Sequence, residues 1–129
     1  MKRFKYVLLF ALILGCGSQT LIDEMLAEVP IYQKGKIVQK SELPAERMSI
    51  IQYEINATEA TEDSLVSFYK DSMLPKGWEL NELKQYAGDG SVFTFTKKEQ
   101  ATLTIQVISK GVRQSGKLKV VLNLTRLNA

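Results

Sequence analysis

The sequence predicts an α+β fold: an antiparallel β-sheet of four to six strands, with one main helix packed on one face and a short N-terminal helix. Apolar residues alternate with polar ones over 101–109 and 117–125, which is typical of strands with one buried and one wet face. Residues 62–73 instead carry apolar side chains at helical spacing. The chain has 129 residues, enough for one domain.

The N-terminus begins with a short positive segment and continues with an apolar run. Lys2, Arg3 and Lys5 precede the apolar residues 6–14, and Gly15 and Cys16 follow. A positive start, an apolar centre and a small residue before the cut are typical of an export signal. The apolar run is far shorter than the ~20 residues that cross a bilayer as a helix. We therefore predict that residues 1–15 are a cleaved signal peptide.

The end of this segment carries a recognisable motif. Ile13-Leu14-Gly15-Cys16 resembles the lipobox of bacterial lipoproteins, although Ile13 replaces the usual Leu and Leu14 is bulky for its position. The resemblance implies cleavage between Gly15 and Cys16, diacylglycerol on the Cys16 thiol, and a palmitate-type acyl chain. It also implies a lipid-anchored protein of the cell envelope. In a Gram-negative host, Gly17 resembles the residue found at this position in lipoproteins sorted to the outer membrane, since Asp is the usual retention signal there. The resemblance then implies an outer-membrane protein that faces the periplasm. The alternative is an ordinary secretory signal with an incidental cysteine.

Residues 16–30 are predicted to form the lipidated cysteine, a short tether and an amphipathic helix. Thr20 is a candidate N-cap and Pro30 ends the helix. The apolar residues of this segment fall on one helical face: Leu21, Ile22, Met25, Leu26 and Val29. That face could pack on the domain, lie in the membrane interface or dock a partner helix. A tether of three or four residues spans about 10–14 Å, so the domain should lie close to the membrane.

Residues 31–129 are predicted to form the single α+β domain. Its first elements are a short strand at 37–39, a loop at 41–46 and a strand at 48–55. Thr61 is a candidate N-cap for the helix at 62–73, which Pro75 and Gly77 end.

Four more strands are predicted after the helix. They cover residues 78–83, 91–96, 101–109 and 117–125, in an antiparallel meander. A tight turn is expected at Gly88-Asp89-Gly90, and residues 111–116 are expected to form a loop.

A second resemblance extends over about 100 residues. The segments Val29-Pro30-Ile31-Tyr32, Phe68-Tyr69 and Leu74-Pro75-Lys76-Gly77-Trp78 resemble marks that recur in small uncharacterised bacterial lipoproteins. Those chains read Pro-x-Tyr near the anchor and Phe-Tyr followed by Gly-Trp. Gln33 stands where a second Pro is usual. The resemblance implies an exported α+β domain and no particular activity.

The charge of the chain argues against a nucleic-acid partner. The 17 Lys and Arg residues exceed the 14 Asp and Glu residues by three, and three of the basic residues lie in the predicted signal. The mature chain is therefore neutral, whereas a polyanion is bound by neutralising many phosphates. Residues 97–126 are nevertheless basic, with Glu99 as their one acid. They could either contact anionic lipid headgroups or serve as solubilising charge on exposed strands.

Catalytic chemistry finds little support in the residue types. The chain has no His, and lipidation would consume its one Cys, so the common triads are excluded, as are a disulfide and a Cys/His metal cluster. Glu79 and Glu82 are expected on opposite faces of their strand. We expect no catalytic residue, no metal and no cofactor. A hydrolase built on two carboxylates is the remote enzymatic alternative.

The aromatic residues are mostly predicted to be core, but Tyr32 and Tyr86 are expected in loops. These two are the candidate interaction surface. The leading hypothesis is a non-catalytic lipoprotein that binds an envelope protein or supports an envelope assembly. The alternative is a small module that binds an apolar or glycan ligand between helix and sheet. Such a ligand would lie in a cavity lined by Phe68, Trp78, Phe93 and Leu103.

Overall fold

The computed structural model describes residues 20–127 of the chain. The predicted signal peptide, its cleavage site and Cys16 lie outside the described residues. The helices are α1 (Thr20–Glu28), α2 (Glu62–Met73) and α3 (Val112–Ser115), and 3-10 turns occur at Pro44–Glu46 and Leu74–Lys76. The strands are β1 (Lys36–Leu43), β2 (Met48–Asn56), β3 (Glu79–Tyr86), β4 (Gly90–Lys97), β5 (Ala101–Ile108) and β6 (Lys117–Arg126).

All strand pairs are antiparallel and form one six-stranded sheet in the order β1-β2-β6-β5-β4-β3. The last four strands are the predicted meander, and β2 extends it by pairing with β6. The α+β class, the sheet of up to six strands and the helix on one face are therefore confirmed.

The core lies between the helices and one face of the sheet. Burial alternates residue by residue along β2, β4, β5 and β6, so that one face of each strand is buried while the other stays partly exposed. The buried strand residues include Ile51, Phe93, Leu103 and Leu122, each fully shielded from solvent. Alternating burial shows that one face is covered and the other is not.

The main helix begins and ends where the sequence predicts. Thr61 forms a capping box: its hydroxyl accepts from the Ser64 N–H, and the Ser64 hydroxyl accepts from the Thr61 N–H. Leu65, Tyr69 and Met73 are buried at helical spacing. Gly77 ends the following 3-10 turn in a left-handed conformation with φ 95°.

α1 is part of the core. Ile22, Met25 and Val29 are buried in the same cluster as the sheet residues. Of the three roles that the sequence left open for this apolar face, packing on the domain is the one observed.

The edge strands differ most from the prediction. β1 continues to Leu43, since the residue before Pro44 favours an extended backbone. β3 continues to Tyr86, which is therefore not in a loop: the Asp89 N–H donates to the Tyr86 carbonyl and closes a tight hairpin. The predicted loop at 111–116 contains α3, bounded by Gly111 and Gly116.

The expectation that Glu79 and Glu82 lie on opposite faces was wrong. The register shifts between Leu80 and Glu82, so Glu79 pairs with Thr96 and Glu82 pairs with Thr94. A β-bulge inserts one extra residue and brings positions three apart to the same face.

Candidate interaction surface

The face of the sheet opposite the helices carries an uncharged centre. This centre consists of three outward-facing residues from each of the four central strands, and the same face continues towards one end with Glu54 of β2 and with Lys117 and Lys119 of β6. The residues of the centre are Met48, Ile50 and Gln52 of β2; Val121, Asn123 and Thr125 of β6; Thr102, Thr104 and Gln106 of β5; and Val92, Thr94 and Thr96 of β4. We call these twelve residues the neutral patch. All of them retain solvent exposure, and none is charged.

The strand register arranges the neutral patch in three rows across the sheet. The middle row aligns Ile50, Asn123, Thr104 and Thr94. Strands lie about 4.8 Å apart and alternate residues about 6.8 Å apart, so the patch measures roughly 14 Å by 14 Å between its outer Cα atoms. Threonine and valine side chains are β-branched and fit a pleated surface. They are also small, so this face carries little apolar volume.

Charged side chains lie at the border of the patch. Glu79, Glu82 and Lys84 lie along β3, and a Lys84–Glu82 ion pair has a nitrogen–oxygen distance of 3.3 Å. At one end of the strands, Lys119 pairs with Glu54 in the register. Charged residues make up 24% of the chain, and on this face they begin only at the edges of the neutral patch. Depletion of charge at the centre with a polar rim is typical of protein–protein interfaces.

The two predicted interaction residues lie on opposite sides of the molecule. Tyr86 pairs with Gly90, which places it on the open face at a corner of the neutral patch, and its side chain is half-exposed. Tyr32 lies on the helix side, where its ring packs edge-on against Phe68 at a centroid distance of 5.0 Å. The structure therefore does not bring Tyr32 and Tyr86 into one surface.

The residues expected to line a ligand cavity are mostly interior. Phe93 and Leu103 are fully buried, and the Phe93 ring packs against Tyr69 and Phe95. Phe68 is half-buried between Tyr32 and Tyr69. These contacts are those of core side chains, and none of them favours a ligand between helix and sheet.

The side chain of Glu28, at the end of α1, holds that helix to the sheet. The Glu28 carboxylate accepts from the Trp78 indole nitrogen at 3.0 Å and from the Lys97 ammonium at 3.1 Å. Arg126 lies 3.7 Å from its other oxygen, and the Lys76 ammonium donates to the Glu28 carbonyl. This carboxylate is committed to structural contacts. Within residues 20–127, no three acidic side chains are grouped as a metal ion would require.

No helix in the described part of the chain is both long enough and apolar enough to cross a membrane. Comparison of the chain with protein families, with characterised proteins and with solved structures finds no match.

Sequence reasoning missed the neutral patch, although its signal was present. The outward positions of the predicted strands at 91–96, 101–109 and 117–125 are largely Thr, Val, Gln and Asn. The pairing of β2 with β6 was needed to show that these positions meet on one continuous face.

Proposed function

We propose that this chain is a lipid-anchored extracytoplasmic protein of the cell envelope that binds a protein partner through the neutral patch and has no catalytic role. The observation that carries the proposal is the absence of charge from twelve solvent-facing positions on four adjacent strands. Binding desolvates the centre of an interface, and leaving charges out of that centre avoids the cost of burying them.

The chemistry of the patch indicates the type of contact. Five threonines and an asparagine supply hydroxyl and amide groups that donate and accept, and Val, Ile and Met supply apolar area. A sheet face of this type accommodates the face of another sheet or an apolar helix face. Tyr86, at the corner, adds an aromatic side chain with a polar tip, which suits the rim of such a contact.

The anchor is supported by the N-terminal motif. The order of a positive start, an apolar run and Gly15-Cys16 supplies both the export signal and the acceptor thiol. Labelling of cells with a fatty-acid analogue should mark the wild-type protein and not the Cys16→Ser variant. Label retained by the variant would refute the anchor.

Site-specific cross-linking in cells tests the patch. A photoreactive amino acid placed at Thr104, in the middle row, should yield a discrete cross-linked product. The same group at Thr58, an exposed threonine in the turn before α2, should not. Cross-linking at position 104 that does not exceed that at position 58 would contradict the proposal.

A charge placed in the patch should separate binding from folding. Thr104→Lys should abolish the cross-link from a neighbouring patch position such as Thr94, because the ammonium would be desolvated without a partner. Thr58→Lys is the matched control and should leave that cross-link unchanged. Both variants should keep the wild-type circular dichroism spectrum, because both positions face solvent.

A further inference from the structure

We infer that the end of the sheet at which α1 begins faces the membrane, and that the β1–β2 turn, residues 43–47, contacts the lipid surface. This inference rests on the proposed lipid anchor and adds the orientation of the domain.

The start of α1 lies beside the β1–β2 turn. The Ile22 N–H donates to the Glu42 carboxylate at 2.8 Å, and Glu42 is the residue before the end of β1. The carboxylate thereby satisfies one of the N–H groups that a helix leaves free in its first turn. This contact fixes the beginning of α1 at one corner of the sheet.

The chain between the anchor and this corner is short. Three residues, 17–19, separate Cys16 from Thr20. At ~3.6 Å for each step, the Cys16 Cα lies within about 14 Å of the Thr20 Cα. An eight-residue strand is about 27 Å long, so Cys16 comes as near to the opposite end of the sheet as to this end only if the tether is fully extended and turned back along the strands.

Exposed apolar side chains lie at the same end. Leu43 is 42% exposed, and Pro44 and Ala45 follow it in the exposed turn. Leu127 is 53% exposed, and its N–H donates to the Gln100 carbonyl in the neighbouring turn. Leucine side chains at this end of the sheet can enter the boundary between headgroups and acyl chains.

Four of the seven basic residues of 97–126 lie at the other end of the sheet, whereas Lys97, Lys98 and Arg126 lie at the end where α1 begins. Lys110, Arg113, Lys117 and Lys119 surround the end of β5 and the start of β6. They are therefore directed away from the membrane. This placement disfavours a contact between these four residues and anionic headgroups. It also leaves the neutral patch facing sideways, where a partner can reach it.

Fluorescence of the lipidated chain in vesicles tests the orientation. Because lipidation consumes Cys16, an introduced cysteine is the chain's free thiol. Leu43→Cys and Val38→Cys, each carrying a polarity-sensitive dye, form a matched pair: both native residues are exposed apolar residues of β1. The vesicles contain phosphatidylcholine, a minor share of phosphatidylglycerol and a quencher-labelled lipid.

The dye at position 43 should shift to shorter wavelength on vesicle binding and be quenched several-fold more than the dye at position 38. Equal responses at the two positions, on protein that carries its lipid and binds the vesicles, would overturn the orientation alone. A wild-type chain without lipid on Cys16 would overturn both the anchor and the orientation.

Discussion

The buried tyrosines Tyr53 and Tyr69 hold the segment that follows α1 through a chain of hydrogen bonds. The Tyr32 N–H donates to the Tyr53 hydroxyl, at 3.4 Å, and the two tyrosine hydroxyls lie 2.6 Å apart. The Tyr69 hydroxyl donates to the Pro30 carbonyl at 2.9 Å, so Tyr53 is the donor between the two hydroxyls. Each hydroxyl donates once and accepts once, and the buried polar atoms are satisfied.

This arrangement predicts a loss of stability at alkaline pH. Burial raises the pKa of Tyr53 from 10.0 to about 12, and burial also raises the pKa of Tyr69. Between pH 10 and about 12, Tyr53 has released its proton in the unfolded chain but retains it in the folded chain. The free energy of unfolding therefore falls as pH rises. The stabilising contribution is complete below pH 10 and is lost as pH rises through about 12.

Urea unfolding at a series of pH values checks this prediction. Tyr53→Phe removes one titrating hydroxyl, and its free energy of unfolding should fall less steeply above pH 10. The difference from wild type should amount to about 2–3 kcal/mol over the alkaline range. Tyr86→Phe, at a half-exposed tyrosine, is the control and should follow the wild-type profile. Parallel profiles for all three proteins would contradict the prediction.

Gly90, the first residue of β4, is predicted to be indispensable for the hairpin. Its φ is +138°, and a Cβ there would lie 1.9 Å from the Val107 carbonyl oxygen. Gly90→Ala should therefore cost more than about 3 kcal/mol, because strand backbone must move. Gly88→Ala, in the same turn, has a positive φ but open space and should cost about 1–2 kcal/mol. Similar unfolding midpoints for the two variants would contradict the clash.

At the residue scale, the sequence predicts which side chains are buried better than it predicts which residues contact one another. The aromatic residues expected in the core at strand and helix spacing, among them Tyr53, Tyr69 and Phe93, are fully buried. Periodicity predicts which side of an element faces inward. It could not predict the hydroxyl pair or the Pro30 contact, because these join residues 16 and 39 positions apart.

α1 is a helix that the rest of the protein holds at both ends. It has nine residues, fewer than an isolated helix needs for stability in water. Glu42 caps its first turn, and Trp78, Lys97 and Arg126 contact Glu28 at its last residue. The helix therefore depends on tertiary contacts rather than on its own propensity.

Neutralising Glu28 should loosen α1. Glu28→Gln keeps the size of the side chain but loses the ion pair with Lys97, so we expect a loss of about 1–2 kcal/mol and faster amide exchange in α1. Glu24→Gln is the matched control on the same helix. Its ion pair with Arg126 is more exposed, and its loss should cost less than about 0.5 kcal/mol. Equal exchange rates in the two variants would show that Glu28 does not hold the helix.

At the element scale, the central strands were predicted closely and the edge strands were not. β5 and β6 alternate cleanly because each pairs on both sides and buries one face. β1 and β3 pair on one side and contain register shifts, so their side chains follow no simple alternation. The α2 helix was predicted to the residue because its cap, apolar stripe and terminal Pro-Gly signals agree.

At the scale of the whole domain, residues 20–127 form a sheet with one covered face and one open face. α1 and α2 both contribute side chains to the cluster on the covered face, and the neutral patch remains on the other. The open face and the end proposed to face the membrane are therefore separate surfaces of one sheet. The sequence predicted a wet face; the uncharged centre required the strand order, which brings β2 beside β6.

Because the core contains side chains from Ile22 to Leu124, we predict that α1 and the sheet unfold together. Met25, with no exposed surface, lies at the centre of the α1 contact, and Met25→Ala should cost about 2–5 kcal/mol. Asp23→Ala, exposed on the same helix, should cost less than about 0.5 kcal/mol.

Circular dichroism and the fluorescence of Trp78, the chain's one tryptophan, should give coincident urea transitions in the wild type and in the Met25→Ala and Asp23→Ala variants. Trp78 reports directly on the α1 contact because its indole nitrogen donates to Glu28. If α1 were an appendage, Met25→Ala would shift the fluorescence transition to lower urea and leave the circular dichroism transition in place. Coincident shifts would instead show that α1, the helix that follows the proposed anchor, is an integral part of the fold, so that a force applied through such an anchor would act directly on the core.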